Sequence, residues 1–199
     1  MKRDGFLLLL LGGVLLIPTV IVPLGPDQCA LACAARRMLR EHEMTFDLWN
    51  MYPASSIMYS VWFSISSSFV GLRVCDVLWQ LATTFVLYSV VSRWFDRRVS
   101  LASAAAYLLA YVETGFWSYG QTDGLLNLLL LLALGQWHRD TTHVDRRGSF
   151  FAGLTFGFAL AFRPTVLPFA LCWLVMPFDR QARIRSALAT LLGVLVVLS

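Results

Sequence analysis

The stretch FLLLLLGGVLLIPTVIVPL, residues 6–24, runs for nineteen residues without a charge. A helix rises ~1.5 Å per residue and needs ~20 apolar residues to cross the hydrocarbon core of a bilayer, so this stretch is long enough. Lys2 and Arg3 precede it, as in a signal peptide. Its length, and the apolar stretches that follow it, favour a retained membrane anchor instead.

The composition agrees with that interpretation. The chain of 199 residues is 58% hydrophobic and only 14% charged, with a mean hydropathy of +0.66. Soluble domains carry about a quarter charged residues, so we expect an all-α, polytopic helical membrane protein. The last apolar stretch stops at the end of the sequence, so we also expect residues 1–199 to be the N-terminal part of a longer transmembrane domain. Further spans are predicted at 74–91, 101–117, 125–137, 150–162, 164–176 and 187–199.

The positive charges predict the topology. The net charge is +4, and clusters of Arg and Lys alternate with the apolar stretches. Because positive charge in membrane proteins marks the cytoplasmic side, we expect a cytoplasmic N-terminus and no nucleic-acid partner. Two segments then face outward, at residues 25–56 and 117–124. We expect the chain to be a multi-pass protein of a cell membrane, the bacterial inner membrane.

The apolar run at 150–176 is interrupted by Arg163 and Pro164. A single kinked span would place the next arginine cluster outside, against the positive-inside rule. We therefore expect two short helices broken at Arg163–Pro164. Gly153 and Gly157 have the GxxxG spacing, which predicts a close approach between helices.

The first outer segment has helical patterns of its own. A helix is predicted at residues 30–40, and Pro53 suits the first turn of a second helix at 54–69. Aromatic residues around that second helix are typical of the headgroup layer, so we expect two short helices on the outer membrane surface.

The four cysteines do not form a recognisable zinc site. Cys29 and Cys33 lie one helical turn apart, while Cys75 and Cys172 fall in or beside apolar spans. Because no second close pair and no nearby histidine accompany them, we expect small buried thiols.

Two carboxylates follow the first span on the outer side. Asp27 comes directly after a Gly-Pro turn, where it is either a general base or the cap of the next helix. Asp47 lies twenty residues further on and is either solvated or a partner of Asp27 in binding substrate or a divalent metal. Gln121 and Asp123 share a very short outer turn and should face the same mouth, although Asp123 also fits the start of a helix.

Arg163 is a charge within an apolar run, which costs about 2.5–3.5 kcal/mol on insertion scales. It therefore needs a partner or a function. An ion pair with an acid such as Asp76, an extension towards the headgroups, and a bidentate contact with a phosphate all remain open.

Several stretches together resemble the opening of the GT-C glycosyltransferases. The similarity is to bacterial membrane enzymes akin to protein mannosyltransferases and the lipid A aminoarabinose transferase. This chain departs from the family in having Gln28 where a second acid is common, and a single Pro53 where a doubled proline is common. The stretches are GPDQCALACAARRML, FDLWNMYPASSIMYSVWF, GLRVCDVL, YGQTDGLLNLLLLLAL and FAGLTFGFALAFRPTVL.

The resemblance implies transfer of a sugar from a polyprenyl-phosphate donor to a lipid, glycan or protein acceptor at the outer face, among membrane lipids. Asp27 would be the catalytic base, assisted by Asp47. Arg163, with Arg73, would neutralise the phosphate that leaves. The resemblance requires no cofactor and allows a divalent metal, although Gln28 removes one anionic ligand. The other residues expected to contact sugar or acceptor are Gln28, Tyr52, Gln121 and Asp123.

Two other classes of protein fit parts of the pattern. A transporter or flippase would also contain an intramembrane arginine and an interrupted helix. Transporters more often carry paired repeats with interruptions in both halves, and only one interrupted segment is visible here. A non-catalytic membrane subunit, as a degenerate or truncated copy of a transferase, is the second alternative.

Overall fold

The computed structural model describes residues 2–41, 53–115, 119–142, 146–171 and 180–198, and within these ranges every regular element is helical. The all-α prediction is therefore confirmed. The α-helices are α1 (Lys2–Leu16), α2 (Pro26–Glu41), α3 (Pro53–Ile65), α4 (Phe69–Val91), α5 (Arg97–Glu113), α6 (Thr122–Thr142), α7 (Arg146–Phe162) and α8 (Arg180–Leu198); two 3-10 helices follow α1 and α7, at Ile17–Ile21 and Pro164–Ala170.

Two helical segments are long and apolar enough to cross a membrane. They are Arg3–Ile21, formed by α1 and its 3-10 extension, and Phe69–Val91, which is α4. Large apolar side chains such as Phe6 and Leu78 are exposed on them, as expected where a helix faces lipid. The chain is an all-α helical membrane protein. Shorter apolar helices lie at Thr122–Trp137, Arg147–Phe162 and Ala187–Val197.

The chain divides into two compact units, Met1–Leu128 and Leu129–Ser199. In the first unit α1, α4 and α5 pack together around an apolar core. At one end of this core the buried carboxylate of Asp4 accepts hydrogen bonds from Tyr88, at 2.7 Å, and from Nε of Arg97, at 2.9 Å. These two bonds join α1 to both α4 and α5. The core residues are Leu16, Val77, Leu108, Tyr111 and Tyr119.

The segment predicted to face outward contains α2 and α3, which pack on each other. The guanidinium of Arg36 lies 4.8 Å from the ring centroids of both Phe63 and Phe69, and it donates to the carbonyl of Ser67. These cation–π contacts hold α2 against the aromatic residues at the place where α3 meets α4. Helix α2 begins four residues before the predicted start, and α3 ends at Ile65 rather than 69.

The expected burial of the cysteines is wrong for two of them. Cys29 and Cys33 are exposed, and Cys75 is partly buried. Both exposed thiols lie on α2, whose apolar face is formed by Leu31, Ala32 and Ala35 instead. Cys172 lies outside the described residues.

The second unit is built on the pairing of α7 with α8. A Cβ on Gly153 would collide with the backbone of Thr190, and one on Gly157 would lie 3.1 Å from Cα of Val194. A Cβ on Gly193 of α8 would likewise collide with the backbone of α7. The close approach predicted from the GxxxG spacing is confirmed.

The interruption at Arg163 is present in the second unit. Helix α7 ends at Phe162, and Arg163 has an extended backbone, with φ −159° and ψ 106°. The proline ring of Pro164 excludes the helical conformation from the residue before it, so the chain must leave the helix here. The segment that follows is a 3-10 helix to Ala170, and residues 172–179 lie outside the described part.

Candidate functional site

The N-terminus of α2 places Asp27 in the first helical turn. The backbone N–H of Cys29 donates to the carbonyl of Gly25 at 2.9 Å, so Gly25 is the cap and Pro26 is the first helical residue. The side chain of Gln28 turns back and accepts from the N–H of Gly25, as the third residue of a capping box does. The alternative that Asp27 caps the helix is wrong, and its carboxylate is exposed at the positive end of α2.

The turn before α6 is held by buried side chains from three other helices. Gly120 adopts a positive φ of 72°, which glycine tolerates without strain. Its carbonyl accepts from the hydroxyl of Tyr59 at 2.7 Å, and its N–H donates to the hydroxyl of Tyr111 at 3.0 Å. Burial raises the pKa of the Tyr59 hydroxyl above its ordinary value. Both polar groups of the glycine are therefore satisfied.

Arg73 joins this turn to the end of the first span. Its guanidinium donates to the carbonyls of Val22 at 3.1 Å, Pro23 at 2.6 Å and Tyr119 at 2.8 Å, and the residue is only 2% exposed. These contacts fix the relative positions of the two loops that carry Asp27 and Gln121. All three contacts of Arg73 are with backbone carbonyls, whereas the resemblance predicted a contact with a phosphate. A role of Arg73 in substrate binding stays a prediction.

The two loops bring Gln121 and Asp27 together. Nε2 of Gln121 donates to Oδ2 of Asp27 at 3.2 Å, across 94 residues of sequence. Thr122, the next residue, lies 2.9 Å from the hydroxyl of Ser55, which ties the start of α6 to α3 as well. The sequence predicted that both residues lie at one mouth, and the first unit has them in contact.

A pocket of about 420 Å³ opens beside this contact, between the ends of α5 and α6. Gln121 belongs both to the pocket wall and to the contact with Asp27, so it connects the pocket to the carboxylate. The lining residues are Tyr107, Ala110, Tyr111, Thr114, Gln121, Asp123, Gly124 and Asn127.

A buried polar network supports the pocket from α4. Asp76 is 2% exposed and accepts hydrogen bonds from Nε2 of Gln80 at 3.0 Å and from Tyr111 at 2.7 Å. The hydroxyl of Tyr107 donates to Oε1 of Gln80 at 2.5 Å. Sequence reasoning missed these four residues as part of a site. A signal was available, because Asp76 and Gln80 are one turn apart on one face of an apolar span, where polar groups are expensive and therefore functional or paired.

The remaining predicted residues are placed as follows. Asp123 lines the pocket, and Gln28 is fully buried in its capping contact. Arg163 lies in the second unit, partly buried, at the break after α7. Asp47 and Tyr52 lie outside the described residues. Among the residues that the structure describes, no three His, Cys, Asp or Glu side chains stand together as a metal site would require. The pairing of Asp27 with Asp47 at a metal stays a prediction.

A comparison with protein families gives one match. The family model described as dolichyl-phosphate-mannose-protein mannosyltransferase matches residues 53–199, which are 147 of the 199 residues. The matched range includes the turn with Gln121 and the whole pocket, and it begins after Asp27. No curated protein and no solved structure matches the chain.

Proposed function

Because the chain belongs to the dolichyl-phosphate-mannose-protein mannosyltransferase family, we propose that it transfers a sugar from a polyprenyl-phosphate donor to an acceptor hydroxyl at the outer face of the membrane. The family implies a membrane glycosyltransferase that uses lipid-linked donors in general. The face of the membrane and the residues that act are our proposal. The acceptor is a lipid, glycan or protein that presents a hydroxyl.

In the proposed reaction the acceptor oxygen attacks the anomeric carbon of the donor sugar. The new C–O bond forms as the bond between the anomeric carbon and the phosphate oxygen breaks, and polyprenyl phosphate leaves with that electron pair. The carboxylate of Asp27 takes the proton of the acceptor hydroxyl as a general base. A departing phosphate is stabilised by cations, and Arg163 is the residue proposed for that role.

The observation that carries this assignment is the contact between Gln121 and Asp27. The amide of Gln121 donates to one carboxylate oxygen, Oδ2, and the other oxygen is available to a substrate hydroxyl. A residue of the pocket wall thus holds the carboxylate, and a general base must lie within hydrogen-bond reach of the proton it removes. The exposed position of Asp27 lets an acceptor approach from the solvent side.

The test compares Asp27→Asn with wild type in a transfer assay. Purified protein in lipid nanodiscs is incubated with polyprenyl-phosphate-mannose and a membrane extract as the source of acceptor, and transferred sugar is counted. Asparagine keeps the shape of the side chain and cannot take the proton, so the rate should fall ~10²–10⁴-fold.

Asp96→Asn is the matched control. Asp96 caps α5 by accepting from the N–H of Val99, away from the pocket, and asparagine caps almost as well. Its transfer rate should equal that of wild type. Transfer by Asp27→Asn within a factor of about two of wild type would remove the base assignment.

A further inference from the structure

Helix α3 directs two buried hydroxyls at the place where the turn ends and α6 begins. Ser55 and Tyr59 are four residues apart, so they lie on the same face of the helix. Ser55 is fully buried, and Tyr59 is only 1% exposed. Polar groups buried this deeply need hydrogen-bond partners, and both hydroxyls have theirs at the start of α6.

The two bonds fall on the residues that flank Gln121. The hydroxyl of Tyr59 donates to the carbonyl of Gly120 at 2.7 Å. Oγ of Ser55 lies 2.9 Å from Oγ1 of Thr122. Because the peptide group between Gly120 and Gln121 is planar, a bond to its carbonyl also fixes the direction in which Cα of Gln121 lies. The backbone of Gln121 is therefore attached to α3 on both sides.

The contact between Tyr59 and the turn leaves no spare room. A Cβ built on Gly120 would lie 3.1 Å from the hydroxyl oxygen of Tyr59, so this oxygen lies directly against the backbone of the turn. The ring of Tyr59 packs on the ring of Trp62, with centroids 5.4 Å apart. Since a buried and packed ring moves only together with its neighbours, α3 sets the position of the turn.

The same helix contacts the other side of the site. Helix α3 packs on α2, whose first turn carries Asp27. The bond between Gln121 and Asp27 is near the surface, where a hydrogen bond contributes little net free energy and ordering a glutamine side chain costs a comparable amount. The bond therefore depends on backbones that already place the amide and the carboxylate within reach of each other.

We propose that Ser55 and Tyr59 are positioning residues, which fix the backbone on both sides of Gln121 so that its amide meets the carboxylate of Asp27. Neither residue is among those that line the pocket, and each hydroxyl is bonded to the chain beside Gln121. The inference rests on the proposed transferase function, because the position of Gln121 affects the reaction only through Asp27.

The first measurement is the transfer rate of Tyr59→Phe, which removes the hydroxyl and keeps the ring. A displacement of ~1 Å in a reacting group costs up to ~10²-fold in rate, and losing one of two bonds should cost about tenfold. KM for the lipid donor should not change, because the hydroxyl contacts the turn rather than the substrate. Ser55→Ala should act in the same way. An unchanged rate in both variants of an active protein overturns the proposal.

Tyr88→Phe is the matched control. The hydroxyl of Tyr88 donates to the buried carboxylate of Asp4 at 2.7 Å, so its removal should lower thermal stability to a similar degree. Tyr88 lies near the C-terminal end of α4, whereas Arg73, which donates to the carbonyl of Tyr119 in the turn, lies near the N-terminal end. Tyr88→Phe should therefore keep the wild-type rate. A loss of rate equal to that of Tyr59→Phe, at equal stability, also overturns the proposal.

A double-mutant cycle separates positioning from general support of the fold. In a Gln121→Ala background no amide is left to position, so adding Tyr59→Phe should lower the rate no further. If the hydroxyl only stabilises the fold, Tyr59→Phe lowers the rate by the same factor in both backgrounds. Equal losses in the two backgrounds contradict the positioning role.

A proximity measurement tests the same idea without transfer activity. A cysteine-free protein with Asp27→Cys and Gln121→Cys is treated with a short bifunctional thiosulfonate, and mass spectrometry follows the rate at which the two thiols are joined. Tyr59→Phe should slow the joining severalfold, and Tyr88→Phe should not. Slower joining in a protein without transfer activity supports the positioning and contradicts the proposed function. An unchanged rate of joining, with transfer that still needs Asp27, contradicts the positioning alone.

Discussion

Single side chains in the first unit act as junctions between helices, and Tyr111 is one of them. Its hydroxyl donates to Asp76 of α4 and accepts from the N–H of Gly120 in the turn before α6. One oxygen atom therefore satisfies a buried carboxylate and a buried backbone group at once. Removing it takes one hydrogen bond from each of two buried polar groups, and such a loss in a buried site costs more than the bonds themselves contribute.

Tyr111→Phe should therefore lower the free energy of unfolding by about 1–3 kcal/mol. In a double-mutant cycle with Asp76→Asn, the two changes should couple because they remove ends of the same bond. The measurement is chemical or thermal unfolding in detergent. Tyr119→Phe is the control, since its hydroxyl donates to Val112 instead, and it should add to Asp76→Asn within about 0.5 kcal/mol. Additivity of Tyr111→Phe and Asp76→Asn would contradict the network.

A second prediction about a single residue concerns Arg163. If it binds the phosphate of the donor, Arg163→Lys should keep the charge, lose the bidentate geometry and weaken donor binding partly, while Arg163→Ala should lose donor binding almost completely. Donor-lipid binding is measured beside thermal stability in detergent. Unchanged donor binding with lowered stability in Arg163→Ala would make the residue part of the scaffold.

The helices within the first unit and the helices within the second unit are held together by different kinds of contact. In the first unit the helices are linked by polar side chains, because Asp4 and Asp76 accept hydrogen bonds from other segments and Arg73 donates to them. In the second unit α7 and α8 meet through glycines, where the two backbones come close enough to leave no room for a methyl group. Close backbone contact and interhelical hydrogen bonds are the two forces available where hydrophobic burial cannot drive helices together.

Gly153→Ala tests the second kind of contact. The added methyl group would meet the backbone of Thr190, which cannot rotate away, so the helices must separate at a cost of about 1–3 kcal/mol. Gly13→Ala is the matched control on α1, where the nearest atom, Cδ1 of Ile17, lies at an ordinary 3.7 Å. That variant should be neutral or slightly more stable, since alanine favours helix over glycine. Equal unfolding temperatures for the two variants would argue against the close pairing of α7 and α8.

At the scale of the whole molecule, the proposed function needs the loops with Asp27 and Gln121 on the outer side of the membrane. The exposed thiol of Cys33 on α2 and the exposed Ser92 at the end of α4 lie on either side of the second span. Because arginines follow Ser92, the positive-inside rule places that end in the cytoplasm. The two positions therefore report opposite sides.

A cysteine-free protein with Cys33 restored should react with a membrane-impermeant maleimide in intact cells. The same background with Ser92→Cys should react only after the membrane is permeabilised. Labelling at position 92 in intact cells would invert the topology and place Asp27 on the cytoplasmic side. That result would end the proposal of transfer at the outer face.

The sequence alone determined the features that depend on neighbouring residues. Apolar runs predicted an all-α membrane protein, because a bilayer core accepts only segments that satisfy their own backbone hydrogen bonds. Pro164 predicted the end of α7, and the spacing of Gly153 and Gly157 predicted a close helix contact. Gln121 could be expected near Asp27, because both follow directly on apolar segments at the predicted outer side.

Only the tertiary structure decided what each polar group contacts. Arg73 was expected at a phosphate and contacts three carbonyls, and Gln28 was expected at a substrate and accepts from the N–H of Gly25. Asp76 joins Tyr111 across 35 residues, and the pocket needs walls from two helices. Such contacts depend on the relative rotation and depth of packed helices, which no local pattern specifies. The sequence indicates that a polar side chain in an apolar helix needs a partner, and only the packing of the helices decides which partner it has.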